Sequence, residues 1–475
     1  MEPLRIAFLA SELTPFAKTG GLADVAESLP RTLGRLGHDV RVFVPLYGVI
    51  DREAHELEPL KIHASEFSIC ERVLPRSQVR AYFIDAPEWF DRGAIYTNDA
   101  DEGQRFVFFC RAAIEACQHL GFAADVFHVN DWQTALVPLL LKTTYAWDAL
   151  FERSKTLLTI HNLAYQGVFG GGVYGDIGID DASYFDAEDR RAGIVNFLKT
   201  GLMHADHLST VSPTYAREIQ TPDQGYGLDG IIRARSASLS GILNGVDYEV
   251  WSPSTDRFIP FRYSEKSLFR KKKNKNALAD KLRLALTGDE PLVGMVTRLS
   301  AQKGIDLLER ALPEVLSREP VRLVVLGTGE KRYESFFASL QLRFPERVCF
   351  YRGFSDELAH WIEAAADMFL MPSHYEPCGL NQLYSLKYGT VPIVRETGGL
   401  ADSVRQFDPA TREGTGIVFR HYTVDGVRWA IDTALGLYSD SGAWRAIVVN
   451  GMVEDFSWEL QAERYVAIYR QLLIH

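Results

Sequence analysis

The stretch that decides the fold is Arg5–Pro45, which reads RIAFLASELTPFAKTGGLADVAESLPRTLGRLGHDVRVFVP. Arg5–Ala10 is a short apolar run without polar alternation, as is typical of a strand buried on both faces. Leu22–Leu36 then places apolar residues at helical spacing, and Gly37 follows where a helix can end. Asp39–Pro45 reads as a second strand. The stretch is therefore a strand, loop, helix and strand, the building block of a parallel sheet.

The same pattern recurs in two series along the 475 residues. The further strands predicted are Val126–Val129, Thr156–Ile160 and Leu208–Val211 in the first series, and Leu292–Thr297, Val321–Leu326, Val348–Tyr351, Met368–Met371 and Val391–Val394 in the second. A chain of this length exceeds one ordinary core. We therefore predict an α/β protein with two doubly wound Rossmann-like domains that face a deep cleft.

Domain boundaries follow from breaks in this pattern. Residues 1–247 are predicted as the N-terminal domain and 261–454 as the C-terminal domain. Residues 248–260 carry two prolines without sustained periodicity and are predicted as a linker. Residues 455–475 contain an amphipathic helix that we expect to return to the N-terminal domain. The basic run Arg270–Lys273 is interpreted as the solvated start of a helix, with contact to an extended polar ligand as the alternative.

Composition excludes several classes of function. The formal net charge of −11 argues against nucleic acid as a partner, since such proteins usually carry a basic surface. No apolar stretch approaches the roughly 20 residues of a membrane span. The five cysteines are odd in number and lack Cys-x-x-Cys spacing, which favours a reducing compartment. The N-terminus does not read as a signal peptide, so we expect a cytoplasmic protein.

A hexapeptide, Thr-Gly-Gly-Leu-Ala-Asp, occurs at Thr19–Asp24 and again at Thr397–Asp402. Each copy follows a predicted strand and leads into a helical pattern. Glycines allow close backbone approach to a ligand, and a helix start offers unpaired N–H groups that attract anions. One Gly-Gly pair is explained as a turn, whereas two copies at equivalent positions favour phosphate binding.

Further candidates for phosphate binding follow predicted strands of the second series. Arg298 and Lys303 stand five residues apart on one loop. Arginine offers a planar fork to phosphate oxygens and lysine a compact charge. Gly379 comes after a proline suited to a first helical turn and allows a phosphate oxygen near the backbone. Together with Lys18, these loops supply three candidate cations for one diphosphate.

Several motifs, in order along the chain, resemble those of bacterial glycogen synthases and plant starch synthases. They are Lys18–Val25, His161–Gly167, Asn244–Asp247, Arg298–Gly304, Glu376–Leu380 and Lys387–Pro392. The resemblance implies a retaining glycosyltransferase of the GT-B type that moves glucose from ADP-glucose to the non-reducing 4-hydroxyl of glycogen or another α-1,4-glucan. It implies that the N-terminal domain holds the acceptor and the C-terminal domain the nucleotide sugar. A preference for UDP-glucose and a catalytically silent glucan-binding paralogue are the alternatives.

The resemblance also implies roles for individual residues. Glu376 is the catalytic carboxylate beside the transferred glucose, His161 lies against the sugar, and Asp131 orients the acceptor. Lys18 is expected to reach the diphosphate when the cleft closes. The residues expected to bind the nucleotide sugar are Lys18, Gly20, Gly21, Asn244, Arg298, Lys303, Gly379, Leu380, Thr397, Gly398 and Gly399. For Asn244 a second reading stays open, because Asn-Gly is also a turn signal.

The sequence departs from the family pattern at a few positions. Asn130 and Gln133 stand where relatives commonly have histidines, and His374-Tyr375 replaces Arg-Phe ahead of the catalytic glutamate. Tyr384 stands where many members of the wider superfamily have a second glutamate, as it does in the glycogen synthases.

Two rival motifs are set aside. Asp99-Ala100-Asp101 resembles a metal-binding Asp-x-Asp but lies in a polar stretch away from any predicted strand. We expect no metal and no cofactor, since arginine and lysine can balance the charge of a leaving diphosphate. Gly170–Gly175 matches the Gly-x-Gly-x-x-Gly of nicotinamide oxidoreductases, but neither a strand before it nor a helix after it is predicted.

Overall fold

The computed structural model describes residues 2–63 and 66–474, and the chain divides into two compact units. Unit 1 comprises Met1–Gly245 and Trp458–His475, and unit 2 comprises Val246–Ser457. The predicted boundaries after residue 247 and before residue 455 lie close to these division points. Each unit is built around its own buried apolar core.

In its described residues, unit 1 contains a mainly parallel sheet and a separate two-stranded sheet. Its strands are β1 (Arg5–Leu9), β2 (Asp39–Pro45), β3 (Glu58–His63), β4 (Ser68–Val73), β5 (Arg80–Asp85), β6 (Val126–Asn130), β7 (Lys155–Ile160), β8 (Val168–Gly170), β9 (Ile194–Asn196), β10 (His207–Thr210) and β11 (Leu239–Gly241). The sheet order is β11-β10-β7-β6-β1-β2-β5-β4-β3. Strands β11 through β5 pair in parallel, whereas β4 is antiparallel to both β3 and β5.

The strand order places a topological switch point between β1 and β6. From β1 the chain moves to β2 on one side of the sheet, and later to β6 on the other. In open α/β sheets ligands bind outside the carboxyl ends of the strands at such a point. The loops that follow β1 and β6 are therefore the places to look for a site in unit 1.

The helices of unit 1 connect these strands. Those before unit 2 are α1 (Gly21–Arg35), α2 (Pro87–Phe90), α3 (Glu102–His119), α4 (Asp131–Thr134), α5 (Val137–Lys142), α6 (Val173–Ile177), α7 (Ala187–Ala192), α8 (Phe197–His204), α9 (Pro213–Glu218) and α10 (Asp229–Ala234), with 3-10 turns at Ala182–Tyr184 and Ser236–Ser238. Helix α1 begins at the second glycine of the first Gly-Gly pair and buries Leu22, Val25, Leu29 and Leu33 against the sheet.

The structure corrects the expected surroundings of Gly170–Gly175. A strand does lead into the motif, since β8 ends at its first residue, Gly170, and the short α6 begins within it at Val173. However, β8 pairs antiparallel with β9 in a separate two-stranded sheet. A dinucleotide-binding turn instead follows a strand of the parallel sheet, so the motif lacks that context.

Unit 2 contains a parallel sheet flanked by helices. Its strands are β12 (Leu292–Val296), β13 (Arg322–Gly327), β14 (Val348–Arg352), β15 (Met368–Met371), β16 (Val391–Arg395) and β17 (Ile417–Phe419), in the order β14-β13-β12-β15-β16-β17. Its helices are α11 (Phe269–Leu282), α12 (Ile305–Arg318), α13 (Lys331–Arg343), α14 (Asp356–Ala365), α15 (Asn381–Tyr388), α16 (Gly398–Ser403), α17 (Val424–Tyr438) and α18 (Ser441–Met452), with a 3-10 turn at Ala301–Lys303. Its switch point lies between β12 and β15.

Residues 248–260, predicted as a linker, lie within unit 2 and pack against it. Trp251 stacks between two rings, at 3.7 Å from His360 and 4.0 Å from Tyr384 between centroids. Asp256 is buried and accepts hydrogen bonds from His360 Nδ1 at 2.8 Å and Tyr388 Oη at 2.6 Å. Ring stacking and side-chain hydrogen bonds hold this segment in place of helix or strand formation. Its sequence therefore shows neither helical nor strand periodicity.

The basic run at the start of α11 is only partly solvated. Lys271 is buried, and its Nζ donates to the carbonyl oxygens of Glu363 and Ala364 at the end of α14, and to Thr390 Oγ1 at 2.7 Å. Burial lowers the pKa of Lys271 to about 7. The interpretation of the whole run as solvated is therefore wrong at this lysine, which caps the negative end of a helix dipole.

The last helix, α19 (Trp458–Ile474), packs into the core of unit 1. Its Tyr469 Oη lies 2.7 Å from His128 Nδ1 on β6, and His128 Nε2 lies 2.6 Å from Thr159 Oγ1 on β7. This buried chain of hydrogen bonds joins the end of the polypeptide to the centre of the first sheet. Across the described ranges, no helix combines the length and the apolar character that crossing a membrane requires.

Candidate active site

In unit 1 the candidate residues follow neighbouring parallel strands. Lys18 lies on the loop after β1, Asp131 comes directly after β6, His161 directly after β7, and Asn244 shortly after β11. Because these strands are adjacent or nearly so in one sheet, their carboxyl ends form one edge. The sheet therefore brings residues from distant parts of the sequence to the same edge of unit 1.

The first Gly-Gly loop is held from inside by Glu12, which is 4% exposed. The Glu12 carboxylate accepts hydrogen bonds from the backbone N–H groups of Thr19 at 2.7 Å and Gly20 at 3.0 Å, and from Tyr96 Oη at 2.9 Å. The Gly20 amide, expected to serve a ligand, thus serves an internal carboxylate. Gly21 begins α1, where first-turn amides lack helical partners.

Lys18 forms an ion pair with a residue of its own hexapeptide region. Its Nζ lies 2.7 Å from Asp24 Oδ1, which also accepts a hydrogen bond from Thr14 Oγ1. The Lys18 side chain is 39% exposed, and ion pairs at such exposure contribute little free energy. A polyanionic ligand can therefore displace Asp24 from Lys18 at small cost.

Asp131 occupies an unusual backbone conformation, with φ at +55°. Its Oδ1 accepts the backbone N–H of His161 at 2.7 Å. Burial raises the pKa of Asp131 to about 7, although the backbone N–H groups of His161 and Asn162 oppose that rise. A carboxyl group that titrates near neutrality is frequent at functional sites.

His161 is held as a neutral imidazole. Its Nε2 lies 2.9 Å from Asn130 Oδ1, and Asn130 Nδ2 donates to the Leu9 carbonyl at 2.8 Å. Burial lowers the pKa of His161 to about 3. The ring can therefore exchange hydrogen bonds with a sugar without carrying a charge.

Asn244 is 5% exposed, and its Oδ1 has no hydrogen-bond partner among the described residues. A buried acceptor without a partner is costly unless a ligand or water supplies one. The neighbouring Gly245 has a packing role, because a Cβ there would lie 2.6 Å from Trp458 Cα. The glycine is thus explained by packing, while the free Asn244 oxygen favours the ligand reading.

In unit 2 the loops after β12 and β15 meet through charged side chains. Lys303 Nζ lies 2.6 Å from Glu376 Oε2, and Ser373 Oγ donates to the same oxygen at 3.0 Å. The Glu376 side chain is only 7% exposed. The loops approach closely because Gly304 has φ at +74° and leaves no room for a Cβ, which would lie 2.1 Å from the Pro372 carbonyl oxygen.

Arg298 is exposed on the same loop as Lys303. Its guanidinium makes no ion pair with any residue that the structure describes. A guanidinium that the protein does not neutralise is well suited to a phosphate, which it can bind with two parallel hydrogen bonds.

The second Gly-Gly pair supports the Glu376 loop. Gly398 has φ at +44°, and a Cβ there would lie 1.9 Å from the Glu376 carbonyl oxygen. The Gly399 N–H donates to the carbonyls of Glu376 and Pro377, each at 3.1 Å. These glycines therefore let two loops touch, which differs from the expectation that the Gly399 amide is kept for a phosphate. Thr397 is the residue before α16.

Gly379 and Leu380 precede α15, which begins at Asn381. Gly379 has φ at +72°, where a side chain is strained, and a Cβ would lie 2.4 Å from Gln382 Oε1. That oxygen is buried and has no hydrogen-bond partner among the described residues. The glycine is thus required by the backbone conformation at the start of α15.

The family departures have structural explanations of their own. The His374 ring lies against Tyr422 at 4.6 Å between centroids, and its backbone N–H donates to the Gln302 carbonyl. Arg395 Nε donates to the Ser373 carbonyl at 2.9 Å and so fixes the loop before Glu376. Tyr384 stacks on Trp251 as described above. Gln133 lies buried beside the site with its Oε1 unpartnered among the described residues.

Both aspartates of the Asp-x-Asp motif bind the guanidinium of Arg92. Asp99 lies 2.7 Å from Arg92 Nη1, and Asp101 lies 2.8 Å from the same nitrogen. In the described part of the chain, no group of three or more His, Cys, Asp or Glu side chains is arranged to hold a metal.

Some residues that support the site carry no signal of their own in the sequence. Glu12 and Arg395 act through contacts with residues several to many positions away, and Ser373 contacts Glu376 three residues on through an ordinary serine hydroxyl. In the sequence, Asn130 stands out only as a departure from the family pattern. A buried carboxylate five or more residues before a Gly-Gly turn is not distinguishable, in one sequence, from a surface glutamate.

Comparison with known proteins gives a consistent result. Residues 5–234 match the family model described as starch synthase catalytic domain, and residues 271–444 match glycosyl transferases group 1. The glycogen synthase of Koribacter versatilis is 45% identical, covering 98% of each chain, and that of Thermotoga maritima is 43% identical, covering 99% of each.

Solved structures agree. The catalytic domain of starch synthase IV from Arabidopsis thaliana, bound to ADP and acarbose, has a TM-score of 0.93 and 32% identity over 100% of each chain. Sucrose-phosphate synthase from Thermosynechococcus elongatus has a TM-score of 0.65 at 19% identity, covering 99% of each chain, and shares the fold. The prediction of two doubly wound α/β domains of the GT-B type is thereby confirmed. The chain belongs to the glycogen synthase family and is a glycosyltransferase.

Proposed function

We propose that the protein transfers glucose from ADP-glucose to the non-reducing 4-hydroxyl of an α-1,4-glucan with retention of configuration. The observation that supports this proposal most directly is the cluster in unit 2, where loops after adjacent strands supply Arg298, Lys303 and Glu376. Two cations and one buried carboxylate match the charges of a departing nucleoside diphosphate and of the glucose that it leaves. The bound ADP and acarbose of the Arabidopsis starch synthase support the same pair of substrates.

Breaking the bond between glucose and diphosphate leaves growing negative charge on ADP and positive character on the sugar carbon. Arg298 and Lys303 stabilise the first, and the Glu376 carboxylate stabilises the second. Lys303 forms an ion pair with Glu376 at 2.6 Å. Binding of the diphosphate therefore gives Lys303 a second anionic partner beside the carboxylate that faces the sugar.

The residues of unit 1 act on the sugar and the acceptor. His161, neutral and half-buried, hydrogen-bonds a hydroxyl of the transferred glucose, and Asp131 orients the acceptor. Asn244, whose Oδ1 has no partner among the described residues, accepts from a sugar hydroxyl.

No metal or cofactor is part of this proposal, because the arginine and the lysine balance the charge of the leaving group. A cytoplasmic setting is part of it, because all five cysteines are free and suit a reducing compartment.

The test is transfer of label from radiolabelled ADP-glucose to glycogen by purified protein. The background is Glu376→Gln, which keeps the shape of the side chain and removes its charge. We expect incorporation well above that background and unchanged by a chelator. Incorporation equal to the Glu376→Gln background identifies the silent glucan-binding paralogue instead.

Competition between ADP-glucose and UDP-glucose in one reaction tests the choice of donor. We expect glucose from ADP-glucose to predominate in the product. Predominant transfer from UDP-glucose identifies the protein as a UDP-glucose-preferring glucan synthase.

A further inference from the structure

The orientation of the Asn130 side chain is fixed by its neighbours. Asn130 ends β6 and is fully buried, and its Nδ2 donates to the Leu9 carbonyl on β1 at 2.8 Å. A backbone carbonyl oxygen can only accept a hydrogen bond, so the amide nitrogen must face Leu9. The amide oxygen must then face His161 on the other side. This orientation follows from chemistry rather than from a choice between two similar atoms.

The protonation of His161 follows from that orientation. Asn130 Oδ1 can only accept, so the imidazole Nε2 that lies 2.9 Å from it must carry a proton. Burial lowers the pKa of His161 to about 3, so the ring is neutral and carries a single proton at neutral pH. Its Nδ1 is therefore left as an acceptor.

We infer that Asn130 is a positioning residue that fixes His161 in the Nε2–H tautomer, so that Nδ1 accepts a hydrogen bond from a hydroxyl of the transferred hexose. The role of the hexose rests on the proposed function, whereas the tautomer is a property of the protein alone. In the opposite tautomer Nδ1 would be a donor, and the hydroxyl would have to reverse its own hydrogen bond. Asn130 thereby sets which hydrogen-bond pattern of the sugar is accepted.

Other titratable groups surround the ring and are common to every variant below. Asp131 on α4 accepts the backbone N–H of His161, and His128 on β6 interacts electrostatically with His161. Glu12, on the loop after β1, interacts electrostatically with Asp131. None of these is changed when residue 130 is substituted, so a change in the titration of His161 reports on residue 130.

The tautomer is tested directly by nitrogen NMR of full-length protein labelled with ¹⁵N at histidine. The His161 signals are identified by their loss in His161→Gln. We expect Nδ1 to resonate as an unprotonated and Nε2 as a protonated imidazole nitrogen. In Asn130→Ala we expect signals averaged between the two tautomers. A protonated Nδ1 in the wild type, or a spectrum unchanged by Asn130→Ala, overturns the inference.

The charge state of His161 is tested with Asn130→Asp, which places a carboxyl group beside the ring. An opposite charge favours the imidazolium and raises the pKa of His161. We expect the pH-titration profile of the His161 ¹⁵N signals to move to higher pH in this variant. The matched control is Asn98→Asp at an exposed position, where the same change should leave the profile unaltered.

Superposition of the Asn130→Asp and Asn98→Asp profiles contradicts the inference. Absence of any glucose transfer by the wild type contradicts the proposed function instead. The NMR spectrum still decides the tautomer in that case, because it needs neither substrate nor turnover. The two failures are thus distinguishable.

Discussion

At the scale of single residues, the candidate cations differ in how the protein balances them. Lys18 is paired with Asp24 and Lys303 with Glu376, whereas Arg298 makes no ion pair among the described residues. A paired lysine must exchange its partner when a diphosphate binds, but Arg298 needs no exchange. The arginine is therefore the cation whose charge is fully available to the leaving group.

We predict that Arg298→Ala and Lys303→Ala each lower kcat by roughly 10²-fold or more, the scale of losing one preorganised charge. Steady-state rates with ADP-glucose and glycogen measure this. The matched control is Arg310→Ala, an exposed arginine on α12, which should retain the wild-type rate. Near-normal rates in both site variants would contradict the assignment of Arg298 and Lys303 as the cations that stabilise the diphosphate.

Asp131 makes stability depend on pH. Its pKa is raised to about 7 by burial, well above the ordinary value of about 3.9 for an unfolded chain. Between these values the folded protein binds more protons than the unfolded one, so this residue lowers stability as pH rises from about 4 to 7. An asparagine at position 131 cannot ionise, so Asp131→Asn lacks this pH-dependent loss of stability. The difference in Tm between Asp131→Asn and wild type should therefore favour the variant more at pH 8 than at pH 5.

Calorimetric Tm values at the two pH values check this expectation. Asp176→Asn, at an exposed position, controls for the change in net charge and should show no such dependence. Equal Tm differences at pH 5 and pH 8 for Asp131→Asn would mean that Asp131 is ionised throughout this range.

At the scale of elements, the repeated hexapeptide serves two structural purposes. In unit 1 the first pair starts α1 and is bound by the carboxylate of Glu12. In unit 2 the second pair lets the loop after β16 touch the loop that carries Glu376. The same hexapeptide therefore shapes the loop that carries Lys18 in unit 1 and supports the loop that carries Glu376 in unit 2.

We predict that a glycine-to-alanine substitution destabilises the protein in the second copy of the hexapeptide and changes its stability little in the first. Gly398→Ala places a Cβ 1.9 Å from the Glu376 carbonyl oxygen at a positive φ and should destabilise the protein by more than about 1 kcal/mol. Gly20→Ala meets nothing within 4 Å at an extended φ and should change stability little. Denaturant unfolding of both variants measures this. Equal losses of stability would show that the two turns are equivalent.

Glu12 provides a third test at this scale. Glu12→Gln keeps the size of the side chain but removes the negative charge that accepts from the Thr19 and Gly20 amides and from Tyr96. We expect a loss of about 1–3 kcal/mol in the free energy of unfolding, since hydrogen bonds to a buried charged acceptor are replaced by weaker ones to a neutral amide. Urea unfolding followed by circular dichroism measures it. A change below about 0.5 kcal/mol would contradict the bracing role of Glu12.

The sequence predicts most of the parallel strands and misses the elements with weaker patterns. Runs such as Asp39–Pro45 and Met368–Met371 were predicted with their observed bounds, because buried apolar residues dominate both strands. The hairpin β3 and β4 was missed, since polar residues interrupt both strands. In the sites, motifs pointed to the charged residues, but the internal contacts of Gly20 and Gly399 required the structure.

At the scale of the whole molecule, unit 2 is an insertion within unit 1. The chain leaves unit 1 after Gly245 and returns to it at Trp458. The terminal helix α19 then buries Trp458 and Tyr469 in the first core. Unit 2 is continuous in sequence, whereas unit 1 needs both ends of the chain.

We predict that the fragment Val246–Ser457 folds alone, because its core is made of its own residues. The fragment Met1–Gly245 should lack a cooperative thermal transition until a peptide with residues 458–475 is added. Circular dichroism melting of each fragment measures this. A cooperative transition of Met1–Gly245 that the peptide leaves unchanged would show that α19 is dispensable for folding.

This arrangement also sets the order in which the two units can fold during translation. Most of unit 1 emerges from the ribosome before unit 2, whereas α19, whose Tyr469 contacts His128, is translated after unit 2. Unit 2 is therefore synthesised before α19 emerges, so unit 1 can complete its core only after unit 2 has left the ribosome. A chain that lacks α19 would therefore carry the complete core of unit 2, together with a core of unit 1 that lacks Trp458 and Tyr469.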